Sequence, residues 1–470
     1  MADWNRASTM ALVLGVALAI GLRTGPAAAQ LPASEAAPRM PTGFALAADT
    51  LLAKSYPPNA PGAVAIVVKD GRPVFRRAYG LADLEFGVLL EPDMVFRVGS
   101  LTKQFTAAAI LQLVDQGKLA LDDPVTKYVD GYDAGGHRVT IDQLLTHTSG
   151  VPNYTDMDEW FPHLREELTP WQILDIVKTK PFSFDSGTRF KYSNTGYLLL
   201  GLVIEKVSGR SYADYIRQMV LPLGMRQTMY DDPLRVMPRR VRGYEHYGDE
   251  WHNARYIGMS QPFAAGAIVS SADDLALWDT AILRGRILSE SSRTRWFMPY
   301  TLASGRATRY AMGWAVTTHE TLTVAEHGGG IPGFACHVVR MPSERLFVAV
   351  LSNNPPSGPD TLARQLTALA IGRPFKDPPV ASVPAPTLES YVGTYELEDD
   401  EPMRVAVAEG RLTIEHHGRT RVMSASGPMD FFEPAGVLRL TFQPGASGDA
   451  MTMKVWGWGE PREARRVRRE

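Results

Sequence analysis

Phe96-Arg97-Val98-Gly99-Ser100-Leu101-Thr102-Lys103 leads into a run in which Phe105, Ala107 to Ala109, Ile110, Leu111, Leu113 and Val114 leave almost no polar face before Gly117. The first five residues read as a short strand ending at a glycine. The run that follows reads as a helix apolar on every side, which is a buried helix, with Gly117 in the position that ends it. Ser100 and Lys103, three residues apart, share one helix face with about 5 to 6 Å between their Cβ atoms. The amine can therefore reach the hydroxyl. Unpaired backbone N–H groups at the first turn favour an anion forming there, and a lysine on a buried helix must be compensated or deprotonated. Ser-x-x-Lys by itself recurs about once by chance in a chain of this size. Its place between a strand-ending glycine and a buried helix is what singles it out.

Two more elements follow in order. Tyr192-Ser193-Asn194 comes after the turn-rich Asp185-Ser186-Gly187-Thr188 and before the apolar Tyr197 to Val207, so it lies on a loop entering a helix. His327-Gly328-Gly329-Gly330 lies between the strand-like stretches Thr321 to Val324 and Phe334 to Val339. With these three elements the chain resembles the serine β-lactamase and penicillin-binding-protein superfamily, closest to its class C, D-aminopeptidase and esterase branch. Leu144 to Gly150, Tyr192 to Gly201 and Ala264 to Trp278 are similar too, so the resemblance runs over about residues 60 to 371.

The resemblance implies roles. Ser100 is the acylated nucleophile, Lys103 helps take its proton, and Tyr192 relays protons to and from Ser100 and the leaving group. Asn194 orients Lys103 or a substrate amide, and the N–H groups of Ser100 and Gly330, beside Gly329, form an oxyanion hole. A serine hydroxyl needs such a base near neutral pH. A cationic Lys103 is expected to lower the Tyr192 pKa, and burial to lower that of Lys103; which of the two is the base stays open. His327 stands where many relatives carry a lysine that attracts a substrate carboxylate. A histidine is only partly charged near pH 7, which favours small amides, D-residue peptides or esters over β-lactams and D,D-carboxypeptidase substrates. A penicillin-recognising sensor with slow deacylation is the alternative of another class. His147 is read as fixing a loop.

Rival motifs fall away. Gly328-x-Gly330-x-x-Gly333 fits a dinucleotide pattern, but Pro332 and a strand-like stretch stand where the helix belongs. No Gly-x-Ser-x-Gly elbow supports a lipase of the α/β-hydrolase type. With no His-Glu-x-x-His or Cys-x-x-Cys and ten scattered histidines, no metal or cofactor is expected. Glu415-His416-His417 reads as a solvated strand edge, and Cys336, the one cysteine, as buried. A net charge of −2 gives no reason to expect nucleic acid. The expected partner is a small-molecule or peptide substrate, with homo-oligomerisation left open.

Residues 1–29 carry Arg6, an apolar stretch from Met10 to Leu22 and Ala27-Ala28-Ala29, the pattern of a secretory signal peptide. A periplasmic or secreted protein without stable membrane insertion after cleavage is expected, and one cysteine excludes an internal disulfide. The fold class read from the pattern is α+β: an antiparallel sheet flanked by helices beside an all-helical lobe, then a small all-β barrel. The expected divisions are a hydrolase domain over 30–372, a proline-rich linker over 373–387 and a lipocalin-like barrel over 388–470. The five arginines between Arg462 and Arg469 read as a solvated tail.

Overall fold

The computed structural model describes residues 38–397, 402–416, 419–444 and 451–468. The proposed signal peptide, and His417, lie outside the described residues.

Asp70 and Gly71, both with positive φ (56° and 74°), turn Ala63–Lys69 back on Arg72–Tyr79, as the Asp-Gly pair predicts for a two-residue hairpin. These two strands form one side of a six-stranded antiparallel sheet. Its order is 315–319, 322–331, 334–341, 346–352, 63–69, 72–79. Side chains alternate across it. Val64, Ile66 and Val68 face the core containing the helix after Ser100, while Ala63, Ala65 and Val67 face Phe44, Ala48 and Leu52 of the helix Phe44–Ser55 and Leu362 and Leu366 of the helix Pro359–Ala370. Being covered on both sides, the central strands Phe334–Met341 and Leu346–Ser352 are buried throughout. Helices between residues 141 and 220, including Asn194–Ser208 and Tyr212–Val220, pack on the inner face with the helix Thr102–Asp115.

The expected strand over Tyr310 to Val316 is shorter in the structure. It runs only over Ala315–His319, because Gly313 holds φ 78° and a Cβ there would lie 2.8 Å from the Lys103 carbonyl. The next strand, Leu322–Ile331, carries straight through Gly328-Gly329-Gly330.

From Gly393 onward nine antiparallel strands make a nearly closed barrel around Tyr395, Val405, Ile414, Phe442 and Met453. The arginine-rich end is no solvated tail. Arg462–Arg468 is a strand of the barrel, paired with Gly393–Leu397 and Met451–Trp456. Ala464 enters the core, and the Arg466 guanidinium donates to the Ser390 carbonyl at 2.8 Å. Alternation, not net charge, decided its place. His416 is likewise buried.

On the outer face of the sheet, Glu326 accepts a two-point bond from Arg364 (Nη2 2.9 Å, Nε 3.0 Å) and lies 3.1 Å from His337 Nε2. Burial raises the Glu326 carboxyl, but Arg364 and His337 more than offset this and hold it at about 2 against an ordinary 4.5. A carboxylate depressed on folding stabilises the protein above its unfolded pKa and loses that contribution as pH falls through the folded value. Denaturant melts between pH 6 and pH 2 are therefore expected to lose on the order of a few kcal/mol below about pH 4.5; unchanged stability down to pH 2 would contradict this pairing.

Candidate active site

The strand Val95–Arg97 pairs with Ile268–Ser271 and delivers the chain to Gly99, whose φ of 49° starts a single tight turn over Gly99–Leu101. The helix Thr102–Asp115 continues from it, and Gly117, with φ 67° and its N–H on the Val114 carbonyl, closes the far end. Ser100 thus sits on a turn leading into the helix, half-buried at its mouth. Lys103 lies one turn further in and is fully buried.

Lys103 Nζ is 3.2 Å from Ser100 Oγ, 2.8 Å from Asn194 Oδ1 and 2.8 Å from the Ala265 carbonyl. Burial pushes its pKa well below the ordinary lysine value. The faces of Tyr192 and Tyr197, with centroids at 4.7 and 5.4 Å, favour the cation, yet desolvation dominates. In the neutral form the two N–H groups satisfy Asn194 and Ala265. The lone pair is then left for the Ser100 hydroxyl.

Asn194 opens its helix, and its amide is spent within the protein: Oδ1 accepts from Lys103, Nδ2 donates to Thr155 Oγ1 at 3.1 Å, and its backbone N–H donates to Asn153 Oδ1 at 2.9 Å. Of the two roles expected for it, holding Lys103 is the one this geometry serves. A cavity of about 430 Å³ adjoins through Asn153, with Asp156, Lys180 and Lys191 on its walls.

Tyr192 departs from expectation. Burial raises its phenol well above the ordinary value, and contact with Ser100 opposes this only in part. A cationic neighbour was expected to lower it, but burial and not Lys103 governs the phenol. Tyr192 thus stands as a phenol, able to donate. Its ring packs against His147 at 4.2 Å between centroids, the planes tilted by 38°. His147 takes φ 58°, accepts the Ser193 N–H on Nδ1 at 3.1 Å and supplies its carbonyl to the Lys191 N–H. It fixes the Tyr192 loop, as expected.

His327 is buried on the strand Leu322–Ile331. Its Nδ1–H donates to the Gly328 carbonyl at 2.6 Å, so Nε2 accepts from Tyr310 Oη at 2.8 Å. Burial first, then Lys103, lowers its pKa to about 3. It is a neutral ring with both nitrogens occupied. Beyond it the glycine strand runs against the Ser100 turn: a Cβ on Gly329 would fall 2.0 Å from the Val98 carbonyl oxygen, and one on Gly99 3.0 Å from Gly330 N. Only backbone fits between them. Gly330 is exposed on the open side.

The structure therefore gathers Ser100, Lys103, Tyr192, Asn194, His327, Gly329 and Gly330 around one cleft. Sequence reading missed Tyr310, Asn153, Thr155 and the Ala265 carbonyl. A glycine inside the strand-like Tyr310 to Val316, at Gly313, was the available signal.

The sequence matches the beta-lactamase family model over residues 52–372. The chain belongs to the beta-lactamase family. It is a serine hydrolase. This beta-lactamase-family protein is similar to penicillin-binding protein 4* of Bacillus subtilis, 28% identical over 432 residues, covering 86% of this chain and 94% of that one. Among solved structures it resembles a D-stereospecific amidohydrolase from a Streptomyces species, with 28% identity and a TM-score of 0.56 over 66% of this chain and 94% of the other. It also shares its fold with the octameric penicillin-binding protein homologue from Pyrococcus abyssi, with 24% identity and a TM-score of 0.65 over 90% and 99%. Among the described residues no helix is long and apolar enough to cross a membrane.

Proposed function

We propose that Ser100 is the acyl-accepting nucleophile and that neutral Lys103 is its base. The observation that carries this is the buried amine, with two acceptors for its N–H groups and its remaining position 3.2 Å from Ser100 Oγ. Ser100 Oγ attacks a carbonyl carbon while its proton passes to Lys103 Nζ. The N–H groups of Ser100 and Gly330 take the developing oxyanion, Gly329 allowing their approach. On collapse the carbon–leaving-group bond breaks, and the leaving amine or alcohol gains the proton through the Tyr192 phenol. Water then attacks the acyl-enzyme by the same route in reverse, returning the proton to Ser100.

The substrates are small amides, peptides with D-residues, or esters. The similarity to a D-stereospecific amidohydrolase supports the amide. The neutral, doubly bonded His327 supplies no cation for a substrate carboxylate, which tells against the β-lactamase and D,D-carboxypeptidase alternatives. Slow-deacylating penicillin recognition is kept as a second reading by the likeness to penicillin-binding protein 4*. We further propose that the protein is exported after loss of residues 1–29, that 373–387 links a hydrolase domain to the barrel, and that it self-associates like the octameric homologue.

Pre-steady-state assays with p-nitrophenyl butyrate, a D-alanyl p-nitroanilide and nitrocefin test the reading. A burst of about one equivalent per chain is expected with one of the first two, with the adduct mapped to the Ser100 peptide and absent from Ser100→Ala. A lasting adduct with nitrocefin alone would favour the sensor. An adduct elsewhere would remove Ser100 from its role.

A further inference from the structure

The strand bearing His327 and Gly330 has three consecutive glycines, the residues that lose most backbone freedom on ordering. Its position must be imposed from outside. On the cleft side Gly329 abuts the Val98 carbonyl. On the other side, two sets of contacts run from the strand to the C-terminal barrel.

The first begins at Glu326, whose bonds to Arg364 and His337 are given above. His337 also packs beneath Gly328, its Nδ1 3.2 Å from where a Cβ would stand. Arg364 lies 3.6 Å from Asp360, and Asp360 Oδ1 accepts from Arg419 Nη1 at 2.6 Å. Arg419 belongs to the barrel strand Arg419–Val422, and its second nitrogen donates to the Pro355 carbonyl at 3.3 Å. A line of alternating charges thus joins the barrel to the residue preceding His327.

The second set uses the turn between the barrel strands Met451–Trp456 and Arg462–Arg468. Trp458 stacks on His319 with centroids 4.2 Å apart and planes at 14°, and it is buried in the same outer core as Val324. Gly459, at φ 109°, lies so close that a Cβ would stand 2.4 Å from Thr317 Oγ1. The Glu460 carbonyl accepts from Arg309 Nη1 at 3.4 Å. Arg309 precedes Tyr310, whose hydroxyl holds His327, and its carbonyl accepts the Val316 N–H at 2.8 Å. The turn therefore covers the edge strand Ala315–His319.

We propose that the barrel is a positioning element of the active site, with Arg419 and Trp458 as its positioning residues: it clamps the glycine strand from Glu326 on one face and through the Arg309-Tyr310 segment on the other. The two contacts converge on adjacent residues of one strand, Glu326 and His327. Neither barrel residue touches substrate. Their effect falls on the spacing between Gly330 and Ser100, and so on oxyanion stabilisation more than on substrate binding. The kinetic part rests on the reading of Ser100 and Gly330 above; the mechanical part does not.

Full-length Arg419→Met and Trp458→Ala test both parts. Hydrogen exchange of the peptide spanning residues 322–331 is expected to quicken in each variant, and kcat for p-nitrophenyl butyrate to fall roughly tenfold with KM within about twofold. Trp458→Phe, which keeps a ring on His319, is expected to recover most of the rate. Should Trp458→Ala fail to fold, Arg419→Met alone carries the comparison. Unchanged exchange of residues 322–331 in a folded Arg419→Met protein overturns the clamp, whether or not the wild type turns over any substrate. Quickened exchange with unchanged kcat, alongside a normal Ser100 burst, overturns the claim that the clamp serves the oxyanion site. A missing burst in the wild type counts against the Ser100 reading, and the exchange measurement still decides the clamp.

Discussion

Lys103→Met is expected to lower kcat/KM by about 10³- to 10⁴-fold, the upper range for a positioned proton acceptor, while the protein still folds. Methionine fills the same buried channel without a charge to desolvate. It leaves Asn194 Oδ1 and the Ala265 carbonyl without their donor, at roughly 1 to 3 kcal/mol for each unsatisfied group, so activity must be compared well below the melting temperature. The pH dependence gives a second sign. Only the neutral amine has a lone pair for Ser100, so wild-type activity falls as pH drops through the Lys103 pKa, which burial has moved well below 10.5. That acidic limb is expected to vanish in Lys103→Met, and the Tyr192 phenol, pushed the other way, has no part in it. Rates within tenfold of wild type in Lys103→Met would move the base to Tyr192.

Gly329→Ala is expected to reduce kcat by about 10² to 10³, the loss seen when one oxyanion donor is misplaced, and to destabilise the fold by about 1 to 3 kcal/mol. The new methyl would stand 2.0 Å from the Val98 carbonyl oxygen and 2.7 Å from Cys336 Sγ. Val98 is backbone only two residues before Ser100, so the clash is relieved by parting the glycine strand from the serine turn. Gly330→Ala is the matched control. Nothing lies within 4 Å of its would-be Cβ, so its melting temperature should equal that of the wild type. Steady-state kinetics and thermal melts of both variants decide the point; Gly329→Ala with wild-type kcat would mean that this contact does not set the oxyanion spacing.

Much of the site was legible because its parts are local. Ser100 and Lys103 are three residues apart on a helix whose apolar residues occupy every side, and that pattern alone announces a buried amine beside a hydroxyl. The Asp70-Gly71 hairpin and the alternation of the central strands are equally local, since turn and pleat depend on neighbours in the chain. Alternation was also present in Arg462–Arg468, but its four arginines concealed it; one buried alanine and a guanidinium reaching a backbone carbonyl were enough to make it a barrel strand.

The sequence by itself determined which groups could do chemistry, the order in which they occur and the elements that carry them. Their protonation was decided only by the tertiary structure. A pKa follows from the water a group loses and the dipoles it gains, and these come from residues distant in the chain: Ala265 and Asn194 around Lys103, and Tyr310 around His327. Lys103 is pushed down, as burial was expected to do, and Tyr192 is pushed up where a lowered pKa was expected, both for that reason. The same holds for the hold of Glu326, Arg364, Asp360 and Arg419 on the glycine strand, where charges brought together from three separate elements become a single structure only once the chain has folded.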